Sequence, residues 1–95
     1  MTPAQIERLG LLAEEAAEVI QAVGKILRHG FSSYNPDDPE QRTNDVTLAM
    51  ELGDMEYAIN LLVTANDISV ENVARGRELA NRKKPQYLHY QIPRG

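Results

Sequence analysis

Between Thr43 and Asn66 the chain is apolar around most of a helical circumference, and two acidic residues stand inside that apolar surface. Placed at about 100° per residue, Leu48, Met50, Leu52, Met55, Ala58, Ile59, Leu61, Leu62 and Ala65 cover an arc of roughly 220°. The polar side lies elsewhere, at Gly53, Glu56, Asn60 and Thr64. A helix with so little polar surface needs cover from more than one direction. Glu51 points into the middle of the arc, and Asp54, three residues on, shares that face. An unpaired carboxylate among apolar neighbours costs about several kcal/mol, and two of them repel each other. A small domain has only about 5–10 kcal/mol of stability in total, so something positive must meet this pair.

The remainder of the chain reads as two further helices and a loop. Thr2-Pro3-Ala4-Gln5 is a helix start: Thr2 caps, Pro3 suits the first helical position and Gln5 completes a capping box. Apolar residues then recur at helical spacing from Ile6 to Leu27, and Gly30 is a stop. Residues 31–43, rich in Pro, Asn, Asp and Ser, form a loop in which Asp37 and Asp38 are turn formers. Phe31 and Tyr34 are there either to pack the loop or to stack on a base. Thr43 or Asn44 caps the second helix, and Ser69 caps a third from about Val70 to Lys83, which Pro85 ends. Residues 86–95 are expected to be an irregular or extended tail. With no strand-forming alternation, the expectation is one all-α domain over residues 1–85, an antiparallel bundle of three main helices. The wide apolar arc of the second helix makes self-association to a dimer or tetramer the expected way of completing it.

Composition removes several classes of function. The chain has no cysteine, so disulfides, thiolate metal sites and thiol nucleophiles are excluded. Ten Lys and Arg against 14 Asp and Glu give a net charge of −4, which argues against nucleic acid or an anionic membrane as partner. No apolar run approaches the roughly 20 residues of a membrane span, and Met1–Gln5 lacks the pattern of a signal peptide. A cytoplasmic protein is the expectation.

The polar residues that remain fall into an acidic and a basic group. On the first helix Glu15 and Glu18 lie just beyond the apolar arc, with Glu14 further round; taken alone this is an ordinary solvated face. Packed against the second helix, Glu15 and Glu18 can face Glu51 and Asp54. Four carboxylates are a hard-oxygen donor set suited to Mg²⁺, with Mn²⁺ as an alternative. A di-iron site would need Glu-x-x-His pairs, and His29 and His89 are not so placed. On the third helix Val70 and Val73 define a buried face that Arg77, Asn81 and Lys84 continue, donors suited to phosphate oxygens. Arg75 and Arg82 point elsewhere, and the helix dipole is reason enough for them. Ion pairing of Arg77 or Lys84 with the carboxylates is the structural alternative.

Glu14-Glu15-Ala16-Ala17-Glu18 followed by Glu51-Leu52-Gly53-Asp54 resembles the EExxE…ExxD signature of the all-α nucleoside triphosphate pyrophosphohydrolases, the MazG-like superfamily. The resemblance spans roughly residues 5–85 and includes the spacing Arg77-x-x-x-Asn81-x-x-Lys84, where the two basic types are exchanged relative to the family pattern. The 32 residues between Glu18 and Glu51 are at or beyond the family's long end. The resemblance implies hydrolysis of a nucleoside triphosphate between its α- and β-phosphates, releasing pyrophosphate and a monophosphate. It implies that Glu15, Glu18, Glu51 and Asp54 hold Mg²⁺, that Glu14 is the general base, and that Arg77, Asn81 and Lys84 hold the phosphates. Two rival readings are a phosphoribosyl-ATP pyrophosphohydrolase and a non-catalytic helical module for oligomerisation or nucleotide sensing.

Overall fold

The first helix begins where side chains can replace its missing backbone partners. In the computed structural model, which describes residues 1–91, Thr2 Oγ1 accepts from the Gln5 N–H at 3.1 Å while Gln5 Oε1 accepts from the Thr2 N–H at 2.8 Å. This reciprocal box opens α1, Pro3–His29. The helix stops at Gly30, whose φ of 90° lies in the left-handed half of conformational space that glycine enters without penalty. The loop then returns to this helix end. Asn44 Nδ2 donates to the Gly30 carbonyl at 3.0 Å, and the N–H groups of Asn44 and Asp45 donate to the carbonyls of Ser33 and Phe31.

The first two N–H groups of α2, Asn44–Thr64, are therefore satisfied by loop carbonyls, and Thr43 makes no side-chain cap bond. Asp38 shapes the loop by accepting from the backbone of Glu40 and Arg42, each at 3.0 Å, which holds its carboxyl below the usual range. Asp37 contributes only its N–H, to Asn35 Oδ1. A tight turn through Asn66, at φ 61°, leads to α3, Val70–Lys83, capped by Ser69 Oγ accepting from the Asn72 N–H. Helix α3 ends at Lys83, as the sequence leads one to expect, and a single 3-10 turn, Lys84–Gln86, carries Pro85. Part of the expected irregular tail, residues 92–95, lies outside the described residues. The fold of the described residues is all-helical, with three helices and no strand, and no helix is long and apolar enough to cross a membrane.

Helices α1 and α2 lie along each other. At one end Gly30 meets Asn44. At the other, Arg8 grips Asp67 through Nε and Nη2, at 2.6 and 3.1 Å, and holds the Asp67 carboxyl below its ordinary value. Ala22, Ala58 and Leu62 are the buried apolar core of the described residues. The small side chains at 22 and 58 let the backbones approach. Helix α3 departs from this pair and has no buried residue: Val70 is exposed and Val73 only partly covered, so the face expected to be buried has no second layer over it among the described residues.

The outcome is a thin slab of 42 × 40 × 16 Å with a radius of gyration of 16.4 Å, against about 12–13 Å for a compact chain of this length. Its accessible surface is 7863 Å², where a folded monomer of 10.6 kDa exposes about 5,500 Å². Much of the surplus is apolar. Ile6, Leu9, Ile20, Val23 and Leu27 are all exposed. Positions 6, 13, 20 and 27 are seven apart and 9, 16 and 23 fall between them, so this second apolar stripe on α1 has the spacing of a helix–helix seam.

Gly53 sits mid-helix on the polar back of α2, and a Cβ built there meets nothing within 4 Å. Gly53→Ala is expected to stabilise the protein by about 1 kcal/mol through helix propensity alone. Thermal melting should register this as a rise of roughly 4–8 °C.

Candidate metal centre

The face of α1 that packs on α2 carries a carboxylate near its centre. Around the helix axis Arg8, Ala22 and Ile26 all lie within about 20° of Glu15. Glu15 therefore belongs to the packed face, where the sequence alone had placed it just outside the apolar arc. The arc combines two surfaces: one against α2 and the exposed stripe through Ile20 and Leu27.

Glu15, Glu18, Glu51 and Asp54 converge at this seam. One carboxylate oxygen from each lies within 4.8 Å of all the others; the first three residues are partly buried and Asp54 is exposed. Glu15 Oε2 and Glu51 Oε2 are buried and have no hydrogen-bond partner. No cation relieves them: the ion pairs of the described residues join Arg8 to Asp67, Arg42 to Glu40 and Arg82 to Glu78. The charges acting on Glu15 and Glu51 are all negative.

The electrostatic consequence is a raised proton affinity. Glu15 is pushed above the usual glutamate range first by burial, then by the charges of Glu18 and Asp54. Glu51 is pushed up first by its hydrogen-bonding contact with the Glu18 carboxyl, which favours a shared proton, and then by burial. Protons and a divalent cation are the two species that relieve such a cluster. Carboxylate oxygens of this number and hardness fit Mg²⁺ or Mn²⁺, and the unpaired buried oxygens fit a ligand role better than an ion-pair role.

The other expected site residues are not gathered here. Glu14 is exposed beside the cluster, and its charge acts on Glu15. Arg77 and Asn81 on α3, and Lys84 after it, are exposed, and neither cation pairs with the four carboxylates. Arg82 is occupied on the surface of α3 by Glu78. Phe31 is largely exposed, whereas Tyr34 is more than half covered.

The structure also forms a cleft that the sequence reading did not assemble. A cavity of ≈ 670 Å³ opens between the end of α1, the loop and the start of α2, and Lys25, Arg28, His29 and Arg42 line it with Tyr34. The spacing 25, 28, 29 on one helix face was the available signal, but Arg42 joins it only through the loop. Comparison with protein-family models, curated proteins and solved structures returns no match.

Proposed function

We propose that the protein is a Mg²⁺-dependent nucleoside triphosphate pyrophosphohydrolase of the MazG-like type, cleaving between the α- and β-phosphates. The observation that carries this reading is the convergence of four carboxylates with two buried, partnerless oxygens and no ion pair to any of them among the described residues. Stability alone is a poor reason for that arrangement, since replacing buried charged groups with apolar side chains of similar volume is often neutral or stabilising. Glu15, Glu18, Glu51 and Asp54 would hold the ion. Bound there, a divalent ion would supply charge neutralisation for the phosphates and a lowered pKa for its water. Glu14, exposed and next in sequence to Glu15, would take the general-base role that the resemblance implies, accepting the proton of the water as it displaces pyrophosphate from the α-phosphorus. Assay of pyrophosphate and monophosphate across a panel of nucleoside triphosphates, with Mg²⁺ and with EDTA, tests the reaction.

The helix pair reads as antiparallel, and the working unit as an assembly. The surface surplus of about 2,400 Å² is of the size that one partner buries in an obligate dimer. The exposed stripe of α1 is the natural seam for a second copy. Within one chain α3 stands away from the carboxylates, so Arg77, Asn81 and Lys84 reach bound phosphates through that assembly. Sedimentation at micromolar concentration should give a dimer or tetramer, and Ile20→Lys with Leu27→Lys should shift it to monomer. A wild-type protein that sediments as a stable monomer refutes the assembly.

A further inference from the structure

The basic cleft and the acidic cluster lie in one seam. Lys25 and His29 fall within about 20° of Glu18 around α1, and Asn44 falls within about 20° of Glu51 around α2. Lys25 is seven residues after Glu18 and Asn44 seven before Glu51, so both helices put the cleft about 10 Å from the carboxylates along their axes. The Gly30–Asn44 contact brings these two distances together at the same end.

The charged side chains of the lining are Lys25, Arg28, Arg42 and Asp38, a balance that favours an anion. Asp38 is the acidic group in the wall, and its carboxylate is already taken by the N–H groups of Glu40 and Arg42. Arg42 lines the cleft while its Nη2 donates to Glu40 at 2.8 Å in an exposed pair. Lys25, Arg28 and His29 are exposed and belong to none of the ion pairs of the described residues. The dipole of α1 explains cations near its end. It does not require them to share a cavity with an arginine from the loop. Nor does the start of α2 supply the attraction, because loop carbonyls take the N–H groups of Asn44 and Asp45.

We propose that the cleft of Lys25, Arg28, His29 and Arg42 is a phosphate subsite, holding a substrate phosphate beyond the bond cleaved at the carboxylates. This rests on the hydrolase reading for its substrate, but the subsite is a physical claim of its own. The phosphate has two possible sources, the end of the triphosphate chain or a second phosphate on the sugar. Tyr34 belongs to the same lining.

Inorganic phosphate, added to the full chain in EDTA, tests the subsite without turnover. Amide NMR signals of residues 25–29 and 42–47 should shift with saturation, and chloride at equal ionic strength should not reproduce the change. Lys25→Ala with Arg28→Ala should remove the response, whereas Glu51→Gln should retain it. Alanine favours the helix at both exposed positions, so folding is preserved. In turnover, Arg28→Ala should raise KM about tenfold with kcat within about twofold. A raised KM for ATP with no preference for adenosine 3′-phosphate 5′-triphosphate assigns the chain end; a wild-type preference for the latter, lost in Arg28→Ala, assigns the sugar phosphate. Shifts that chloride reproduces, or that survive the double substitution, overturn the subsite. Phosphate bound at the cleft in a protein that hydrolyses no triphosphate would keep the subsite and sink the hydrolase.

Discussion

Glu51→Gln is expected to abolish Mg²⁺-dependent triphosphate hydrolysis, by about a thousandfold or more, while raising the melting temperature of the metal-free protein. The two effects have one cause. Glu51 is pressed against Glu18, Glu15 and Asp54 with one buried oxygen unpaired, so its negative charge is unfavourable until a cation arrives. Glutamine keeps the volume and supplies donors that the neighbouring carboxylates accept. The apo fold is relieved, and the ion loses a charged ligand at the centre of its cage. A structural cluster predicts otherwise: Glu51→Gln would stabilise the protein and leave any activity intact. Thermal melts separate the readings further. Mg²⁺ should raise the wild-type melting temperature by mass action and should raise that of Glu51→Gln far less. Equal shifts in both would reduce the ion to a general salt effect.

The metal-free protein should be most stable at mildly acidic pH, with Mg²⁺ moving that optimum toward neutrality. Glu15 and Glu51 have folded-state proton affinities raised above the unfolded values. Between the ordinary glutamate value and the raised one, the folded state binds more protons, so stability falls as pH rises through that window. Asp67, Asp38, Asp45 and Glu71 behave oppositely. Their values are lowered, by the Arg8 hydrogen bond at Asp67 and by local hydrogen bonds at the others, and the stability they contribute is lost as pH falls below the ordinary range. The two slopes meet near the usual carboxylate values, about pH 4–5. A divalent ion replaces the protons at Glu15 and Glu51, so the Mg²⁺-induced gain in melting temperature should be larger at pH 7 than at pH 5. Metal-free stability that climbs steadily from pH 5 to 7 would contradict the cluster's electrostatics.

Local chemistry wrote the helices into the sequence. Thr2 with Gln5, Gly30 and Ser69 mark ends that the folded chain keeps, because a cap needs only residues a few positions apart. The carboxylates were legible for a related reason: Glu51 stands in an apolar arc whose period is fixed by the helix itself. Glu15 was harder to place. Its neighbours on the circumference are apolar on both sides, and periodicity cannot divide an arc between a partner helix within the chain and a surface left open.

Tertiary structure decided what no helical wheel contains. It brought Glu15 and Glu18 within 4.8 Å of Glu51 and Asp54, because Arg8 locks to Asp67 at one end of the pair and Asn44 to Gly30 at the other. It left Val70 uncovered and carried α3 away from the α1–α2 pair, a departure that the turn through Asn66 sets and no helical spacing encodes. It also set Arg42 beside Lys25 and Arg28, a meeting that depends on the path of a 13-residue loop from 31 to 43. Spacing along a helix fixes which side chains share a face. Only the crossing of two helices, and the turn that joins them, fixes which faces meet.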